Sequence, residues 1–332
     1  MAKKSYFSWI LLFVFFSPII FGSKKNHVNS LVKERQEFLL NSISHNKNDY
    51  KNIVVFGDSL SDHGRLNKNT FGLMVKPDTY WKSRWSNGPN WVDYVANALN
   101  LKIFNYAVGG AETRPGRKFW QRFVSHDLNT QIRTYRKEKH SLDPSKTLYV
   151  LWIGHNNYLG AHNNDAKKTV QDILKAVRIL NELGAKKFVI GTITTLGISP
   201  KSISKGEERQ KYLMDLTNQH NENLLSEVEL NYLDIKIFNA QNLSLKAHLN
   251  YKDFGFDEIE KPCYTGDLRG NYTGRKFCPN SVTTKYWDDL HPNSLMHCHY
   301  AVQFLSDLDF LKIPNSEAHD FCISGLKLNI SK

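Results

Sequence analysis

The chain has 332 residues, of which 41% are hydrophobic, 12% aromatic and 23% charged. These values are close to those of globular proteins, so collagen-like, low-complexity and wholly disordered classes are excluded. The 44 lysine and arginine residues exceed the 32 acidic residues, which gives a formal net charge of +12. This charge favours contact with anionic surfaces. A nucleic-acid partner is not expected, because the sequence has neither zinc-finger spacing nor an arginine-rich arm.

Residues 1–23 have the layout of a signal peptide. Two lysines precede the apolar run Tyr6–Phe21, and the small residues Gly22 and Ser23 follow it. A membrane-spanning helix needs about 20 apolar residues, and Pro18 interrupts this run, so a permanent anchor is the less favoured alternative. We therefore expect the protein to be secreted, either into a periplasm or out of the cell.

An even number of cysteines in an exported chain predicts disulfide bonds. The four are Cys263, Cys278, Cys298 and Cys322. Three pairings are possible, and proximity in the sequence favours Cys263–Cys278 and Cys298–Cys322. Zinc binding by His297, Cys298 and His299 is the less favoured alternative, since adjacent helical residues point in different directions and no partner pair has ligand spacing.

The rest of the sequence predicts a polar leader at residues 24–50 and one domain at residues 51–332. Five β-branched or aromatic runs predict buried strands: Asn52–Phe56, Leu101–Asn105, Thr147–Ile153, Lys187–Ile193 and Ile235–Asn239. Apolar residues at three and four spacing predict helices at Asn90–Leu99, Ala166–Leu183, Glu207–Leu230 and Leu295–Leu308. Alternating strands and helices predict an α/β fold with a mainly parallel sheet and helices on both faces.

The first predicted strand runs directly into Gly57-Asp58-Ser59-Leu60. Because ligands bind at the carboxyl ends of strands in an open α/β sheet, Ser59 is a candidate nucleophile. The alternative is that Ser61 or Asp62 caps a short helix and that the motif is structural.

A candidate base and its orienting acid lie near the C-terminus, in the run Asp288-Asp-Leu-His291. A serine nucleophile needs a histidine within hydrogen-bond reach and a carboxylate to fix the imidazole tautomer. Asp288 can turn back onto His291 across a short loop. The alternative is that Asp289 or Asn293 caps the last predicted helix and that His291 is a loop residue.

Two further strand ends carry residues that can stabilise an oxyanion. Asn156 follows the strand Thr147–Ile153, and its amide can donate a hydrogen bond to a developing negative charge. Gly110 follows the second strand, where a glycine lets a backbone N–H approach a ligand closely. Seen in isolation, both residues are equally well explained as turn residues.

Together, these motifs resemble the GDSL or SGNH hydrolase family over about residues 50–310. The resemblance implies a flavodoxin-like three-layer α/β/α sandwich with a five-stranded sheet. It implies Ser59 as nucleophile, His291 as base, Asp288 as acid, and an oxyanion hole made by the Ser59 and Gly110 N–H groups and the Asn156 side chain. No cofactor or metal is expected. One departure is Gly154-His-Asn-Asn157, where family members commonly carry Gly-x-Asn-Asp.

The segments Tyr80–Trp91 and Asn105–Gly110 resemble the secreted bacterial branch of this family, which holds lysophospholipases A and glycerophospholipid:cholesterol acyltransferases. A cysteine pair just before the predicted acid also fits that branch. The resemblance implies a serine ester hydrolase that releases fatty acids from lysophospholipids, with phospholipase A activity and acyl transfer to a sterol as further activities. The alternatives are an esterase of small or carbohydrate esters and a non-catalytic lipid-binding protein.

Two surface features suggest partners. Residues 71–91 interleave apolar and aromatic side chains with lysine and arginine, which suits the surface of a membrane or micelle; the alternative is that these aromatics pack beneath a long loop. The segment between Cys263 and Cys278 is predicted to form a lid that an activating protease opens by cutting. The alternative is a passive disulfide staple.

Overall fold

The computed structural model describes residues 30, 33–39, 41–43, 50–115, 124–138, 140–160, 165–231, 234–267 and 274–327. The predicted signal peptide and much of the predicted leader lie outside these residues. No helix in the described part of the chain combines the length and apolar character that crossing a membrane requires.

A five-stranded parallel sheet forms the centre of the structure, in the order β2-β1-β3-β4-β5. Its strands are β1 (Asn52–Gly57), β2 (Lys102–Asn105), β3 (Thr147–Trp152), β4 (Lys187–Gly191) and β5 (Lys236–Phe238). All five were predicted from the sequence, with small differences at their ends. The chain adds β2 on one side of β1 and then β3, β4 and β5 on the other, so the strand order reverses between β1 and β3. In α/β sheets, a crevice for ligands opens at such a switch point.

Helices cover both faces of the sheet. They are α1 (Arg65–Asn69), α2 (Trp91–Ala98), α3 (Leu128–Glu138), α4 (His155–Leu159), α5 (Ala166–Glu182), α6 (Pro200–Ile203), α7 (Glu207–Asn231), α8 (Ala240–Leu249), α9 (Ser294–Asp307) and α10 (Asn315–Lys327). The predictions for α2, α5, α7 and α9 are confirmed, whereas α3, α4, α6, α8 and α10 were not predicted. A short helix near α1 entered only as the alternative interpretation of the Ser59 motif.

Strand alternation divides the core into two layers. Ile53 and Val55 of β1 point to the face covered by α2, α8, α9 and α10. Val54 and Phe56 point to the opposite face, which α3, α5 and α7 cover. Successive side chains of a strand point to opposite faces of its sheet, so each strand contributes to both cores. The predicted three-layer α/β/α sandwich is confirmed.

Two disulfide bonds join the cysteines in the pairing that sequence proximity favours. Cys298–Cys322 connects α9 to α10, and Cys263–Cys278 closes a hairpin of β6 (Tyr264–Thr265) and β7 (Lys276–Phe277). The Cys298 sulfur is therefore used in a covalent bond. Within the described ranges, no three His, Cys, Asp or Glu side chains converge as metal ligands.

The described residues between 33 and 43 pack against the sandwich. Leu39 and Ile43 are buried in the same core as α9 and α10. Arg35 is also buried, and its Nε donates a 3.0 Å hydrogen bond to the carbonyl oxygen of Cys322. This part of the predicted leader thus contacts the domain, while the boundary at residue 51 stays a prediction.

Candidate active site

Three side chains from distant parts of the sequence form one chain of hydrogen bonds. Ser59 Oγ lies 2.8 Å from His291 Nε2. On the other side of the ring, His291 Nδ1 lies 2.8 Å from both carboxylate oxygens of Asp288. The structure therefore brings together the residues that the sequence predicts as nucleophile, base and acid.

The order of these contacts fixes how the protons are arranged. An ionised carboxylate only accepts hydrogen bonds, so the proton of neutral His291 belongs on Nδ1, where it is donated to Asp288. Nε2 is then free to accept the hydroxyl proton of Ser59. An imidazole held in this tautomer can remove that proton as the oxygen attacks an electrophile, which makes the arrangement competent for nucleophilic catalysis.

Asp288 receives hydrogen bonds from four donors. The backbone N–H groups of Leu290 and His291 donate to Oδ1 at 2.9 and 2.8 Å, which closes the short loop between acid and base. The Tyr80 hydroxyl donates to Oδ2 at 2.8 Å. Burial opposes ionisation of this carboxyl, but the interaction with His291 and these hydrogen bonds hold its pKa below the usual value. The alternative interpretation of this segment is correct in one respect, because Asn293 caps α9. His291 is nevertheless part of the site and not merely a loop residue.

The turn that carries Ser59 is fixed by its neighbour Asp58. One carboxylate oxygen of Asp58 accepts the N–H of Leu60 at 3.1 Å, and the other lies 2.8 Å from His155 Nδ1. His155 Nε2 accepts the backbone N–H of Thr194 at 3.2 Å, so the imidazole proton lies on Nδ1 and is donated to Asp58. This second Asp–His pair connects the end of β1 to the ends of β3 and β4.

Gly57 ends β1 at a place where a side chain would not fit. A Cβ here would lie 2.8 Å from the carbonyl oxygen of Trp152. Gln131 of α3 holds the same residue, with its Oε1 accepting the Gly57 N–H at 3.0 Å and its Nε2 donating to the Gly57 carbonyl at 2.8 Å. These contacts fix the backbone at the end of β1, two residues before Ser59.

Of the other predicted oxyanion-hole residues, Asn156 lies in the pocket that contains Ser59, and Gly110 lies in the turn after β2. Gly110 has a φ of 77°, and neither its N–H nor that of Ser59 donates to an acceptor in the described residues. Asn156 lines the same pocket as Ser59 and His291, and its Nδ2 donates one hydrogen bond, at 3.0 Å, to the carbonyl of Ala111. An amide nitrogen carries two protons, so one remains for an oxyanion.

Asn157, which departs from the usual family residue, is fully hydrogen-bonded in the structure. Its Oδ1 accepts the N–H of Thr113 at 3.1 Å, and its Nδ2 donates to the Thr113 hydroxyl at 2.9 Å. The buried amide therefore satisfies both groups, one as acceptor and one as donor. An asparagine at this position ties the loop after β2 to α4, next to Asn156.

A single pocket opens on Ser59, His291 and Asn156. Its apolar walls are Leu60, Leu159, Leu196, Leu290, Pro292 and Met296, and its remaining polar lining is Asp58, His155, Thr194, Thr195, Ser199, Ser244, Lys285, Tyr286 and Tyr300. Polar residues outnumber apolar ones in this lining, so the pocket combines an apolar wall with many hydrogen-bonding groups that can orient a small molecule.

The aromatic segment after α1 divides into a buried and an exposed part. Trp85 packs on His291 with ring centroids 4.5 Å apart, and Tyr80 and Trp91 are also buried. For these three rings the alternative interpretation, in which the aromatics pack beneath a loop, is therefore confirmed. Phe71 and Leu73, in contrast, are 94% and 65% exposed.

Sequence reasoning missed three features of the site: the Asp58–His155 pair, the hydrogen bond from Tyr80 to Asp288, and the buried Lys285 in the pocket. Asp58 and His155 each adjoin a predicted residue at a strand end, and this was the signal that could have linked them. No local pattern connects Tyr80 to Asp288, since 208 positions separate them.

Comparison with known proteins identifies the family of the chain. The sequence profile of the GDSL-like lipase/acylhydrolase family matches residues 53–302, which is more than half of the chain. The phosphatidylcholine-sterol acyltransferase of Aeromonas hydrophila is 29% identical over 243 residues, covering 71% of this chain and 70% of that protein. The thermolabile hemolysin of Vibrio parahaemolyticus is 25% identical over 264 residues, covering 76% of this chain and 62% of the hemolysin, so the chain spans less than two thirds of that relative.

Among solved structures, a member of the lipolytic G-D-S-L family from Veillonella parvula superposes with a TM-score of 0.42 at 14% identity, covering 85% of this chain and 99% of that one. The family assignment depends on the profile match, which extends from β1 into α9 and includes Ser59, Asp288 and His291. The chain therefore belongs to the GDSL-like lipase/acylhydrolase family.

Proposed function

We propose that the protein is a serine ester hydrolase that releases fatty acids from lysophospholipids, with Ser59 as nucleophile, His291 as general base and Asp288 as its orienting acid. The observation that carries this proposal is the unbroken chain of 2.8 Å contacts from Ser59 Oγ through His291 to Asp288. Asn156 and the Ser59 and Gly110 N–H groups form the proposed oxyanion hole.

The proposed cycle has two halves. Ser59 Oγ attacks the ester carbonyl while His291 Nε2 takes its proton, and the oxyanion forms against the three donors. Collapse of this intermediate expels the alcohol, which receives the proton from His291, and leaves an acyl-serine. Water activated by the same histidine then releases the fatty acid. A sterol hydroxyl in place of water would give a new ester, which is the proposed acyl-transfer activity.

Lipid substrates are supported by the relatives, whose names describe an acyltransferase from phosphatidylcholine to a sterol and a hemolysin. The net charge of +12 supports action on an anionic lipid surface. Phospholipase A activity on diacyl lipids belongs to the same proposal, because the ester chemistry is the same.

An exposed apolar tip supports the same conclusion. Phe71 and Leu73 protrude from the loop after α1, and the exposed Lys68 lies beside them in the sequence. The base of this loop is fixed, since Leu66 and Val75 pack in a buried cluster with Trp85. Because Trp85 contacts His291, we propose that this tip enters the lipid interface and brings the pocket to the surface of a membrane or micelle.

Secretion and activation are further parts of the proposal. Two disulfide bonds support an oxidising compartment. The Cys263–Cys278 hairpin lies against the loop of the proposed acid, since Tyr264 N–H donates to the carbonyl of Trp287 at 2.6 Å. We propose that an activating protease cuts this hairpin while the disulfide keeps its ends joined.

The test compares fatty-acid release from lysophosphatidylcholine, from phosphatidylcholine vesicles with and without cholesterol, and from a soluble short-chain ester. The double variant Phe71→Ser/Leu73→Ser should lose about tenfold in vesicle turnover relative to turnover of the soluble ester, because burial of two large apolar side chains drives insertion. Leu230→Ser is the matched control, since Leu230 is 76% exposed on α7. Turnover of the soluble ester with none from either lipid would contradict the lipid assignment and favour the small-ester alternative.

A further inference from the structure

A lysine without a counter-ion lies in the pocket of the proposed nucleophile. Lys285 lines the same pocket as Ser59 and is 1% exposed. Its Nζ lies 3.5 Å from the carbonyl oxygen of Ser244 and 5.3 Å from the ring centroid of Tyr286. Across the described ranges, Lys285 forms no ion pair with a carboxylate. Burial alone lowers the pKa of this amine to about 7.

A second polar group in this pocket has no hydrogen-bond partner among the described residues. The Oγ1 of Thr195 is buried and makes no hydrogen bond to any described residue. Thr195 is 6% exposed and lines the pocket together with Lys285 and Ser59. A buried donor without a partner costs free energy, and a buried ammonium without a counter-ion costs more. Both costs disappear if a ligand brings negatively charged acceptor oxygens into the pocket.

The chemistry of the two groups defines the ligand. An ammonium offers three donors and no acceptor, and the Thr195 hydroxyl can add a fourth donor. A phosphate group supplies both the negative charge and the several acceptor oxygens that such a set requires. In a lysophospholipid, one glycerol unit separates the phosphate from the ester that Ser59 would attack, so both groups can enter one pocket.

We propose that Lys285 and Thr195 form a subsite for the phosphate of a glycerophospholipid headgroup, next to the acyl-transfer centre. This inference rests on the proposed function, because it assigns the substrate's headgroup to a particular wall of the same pocket. The subsite selects phospholipids over acylglycerols, whose glycerol carries no phosphate.

The kinetic test compares lysophosphatidylcholine with a monoacylglycerol of the same acyl chain, both in the same detergent micelles. Lys285→Met keeps most of the side-chain volume and removes the amine; it should raise the KM for the phospholipid about tenfold relative to its effect on the KM for the monoacylglycerol. Thr195→Val should act in the same direction with a smaller effect. Lys246→Met is the matched control, since Lys246 is exposed on the same helix as Ser244.

A binding test is independent of turnover. Glycerol 3-phosphate is titrated into the Ser59→Ala protein with and without Lys285→Met, and inorganic phosphate is titrated in parallel. The proposal predicts that glycerol 3-phosphate binds about tenfold more weakly without the amine and binds more tightly than inorganic phosphate. The proposal would be overturned if Lys285→Met lost activity equally on lysophosphatidylcholine and on the monoacylglycerol. It would also be overturned if glycerol 3-phosphate and inorganic phosphate bound equally well and the KM of Lys285→Met for lysophosphatidylcholine were unchanged.

Failure of the subsite differs from failure of the proposed function. If wild-type protein released no fatty acid from either lipid, the proposed function would fall, whereas the binding test would still decide the phosphate site. If Lys285→Met did not fold, two other measurements would decide the phosphate site: the KM of Thr195→Val for lysophosphatidylcholine, and inhibition of wild-type turnover by glycerol 3-phosphate. An unchanged KM together with no inhibition would overturn the proposal.

Discussion

The hydroxyl of Tyr80 donates a 2.8 Å hydrogen bond to Oδ2 of Asp288, the carboxylate that also contacts His291. Tyr80 is itself held from two sides, by Trp85 and by Tyr264 of the disulfide hairpin. The loop after α1 and the hairpin before the proposed acid thus meet at one side chain. Tyr80 is in this account a positioning residue, which acts on the proposed chemistry through Asp288.

Tyr80→Phe should lower kcat about tenfold with little change in KM, because a buried hydrogen bond to a charged group contributes about 1.5–3 kcal/mol. The ring and its packing remain, so the melting temperature should stay near the wild-type value. Steady-state kinetics on a soluble ester measure the effect. Tyr212→Phe on α7, where the ring packs beside Arg209, is the control. An unchanged kcat would show that Tyr80 does not position Asp288.

Asp58→Asn should destabilise the protein by about 1–3 kcal/mol, because a buried donor is left facing another donor. Both oxygens of Asp58 accept hydrogen bonds, one from Leu60 N–H and one from His155 Nδ1–H, and an amide offers only one acceptor. Urea denaturation measures the change in the free energy of unfolding. The exposed Asp253→Asn serves for comparison. Equal stability of the two variants would contradict the paired geometry.

The sequence predicted those parts of the site that depend on short-range pattern. Ser59 stands at a strand end, and Asp288 and His291 are three residues apart, so local rules placed them at one edge of the sheet. The contact between Tyr80 and Asp288 arises only when the loop after α1 folds over the sheet. The absence of a counter-ion beside Lys285 likewise depends on residues that are close in space but distant in the sequence, so no local sequence pattern could have predicted it.

The missed helices have equally physical causes. In α3 the buried apolar residues are only Leu128, Ile132 and Tyr135 among polar neighbours. In α8 two of the buried residues, Ala240 and Ala247, are small and contribute little to a hydrophobic pattern. Tertiary packing thus accounts for α8 more than amphipathic patterning does, whereas the few apolar residues of α3 do share one helix face and were overlooked among their polar neighbours.

Replacing Cys263 and Cys278 together by serine should lower the free energy of unfolding by about 3 kcal/mol, the value expected for closing a loop of this length. Cysteine 263 N–H also donates to the carbonyl of Tyr286 at 2.9 Å, so the hairpin supports the residues just before Asp288. Thermal unfolding of the wild-type and double-variant proteins measures the effect. No loss of stability would mean that these backbone contacts hold the hairpin without its disulfide.

A cut within residues 268–273 should raise the turnover of vesicle lipids if the hairpin acts as a lid. The Cys263–Cys278 disulfide keeps the two ends joined, so the stability should fall less than in the cysteine variant. Limited proteolysis followed by a fatty-acid assay with and without reductant measures this. An unchanged rate in the cut, oxidised protein would favour the passive staple.

His297 should make the protein less stable in acid. Burial lowers its pKa from the ordinary value of 6.5 to about 3, and its Nδ1 has no described partner. Above pH 6.5 the residue is neutral in both states; below it, the unfolded chain takes up a proton that the folded protein refuses. The free energy of unfolding should therefore fall by about 1.4 kcal/mol per pH unit through this residue as the pH drops towards 3.

His297→Met removes this titration. The pH slope of its unfolding free energy between pH 6 and pH 4 should be shallower than that of the wild type by about 1.4 kcal/mol per unit. Urea denaturation across this range supplies both slopes. Parallel curves would contradict the assignment of a neutral, buried imidazole at this position.

The central claim is tested most directly by measuring the fatty acid that the oxidised protein releases from lysophosphatidylcholine, with Ser59→Ala beside it. The account predicts release by the wild type and a loss of about 10⁴-fold or more in the variant, at an unchanged melting temperature. A Ser59→Ala protein that still releases fatty acid at the wild-type rate would contradict it.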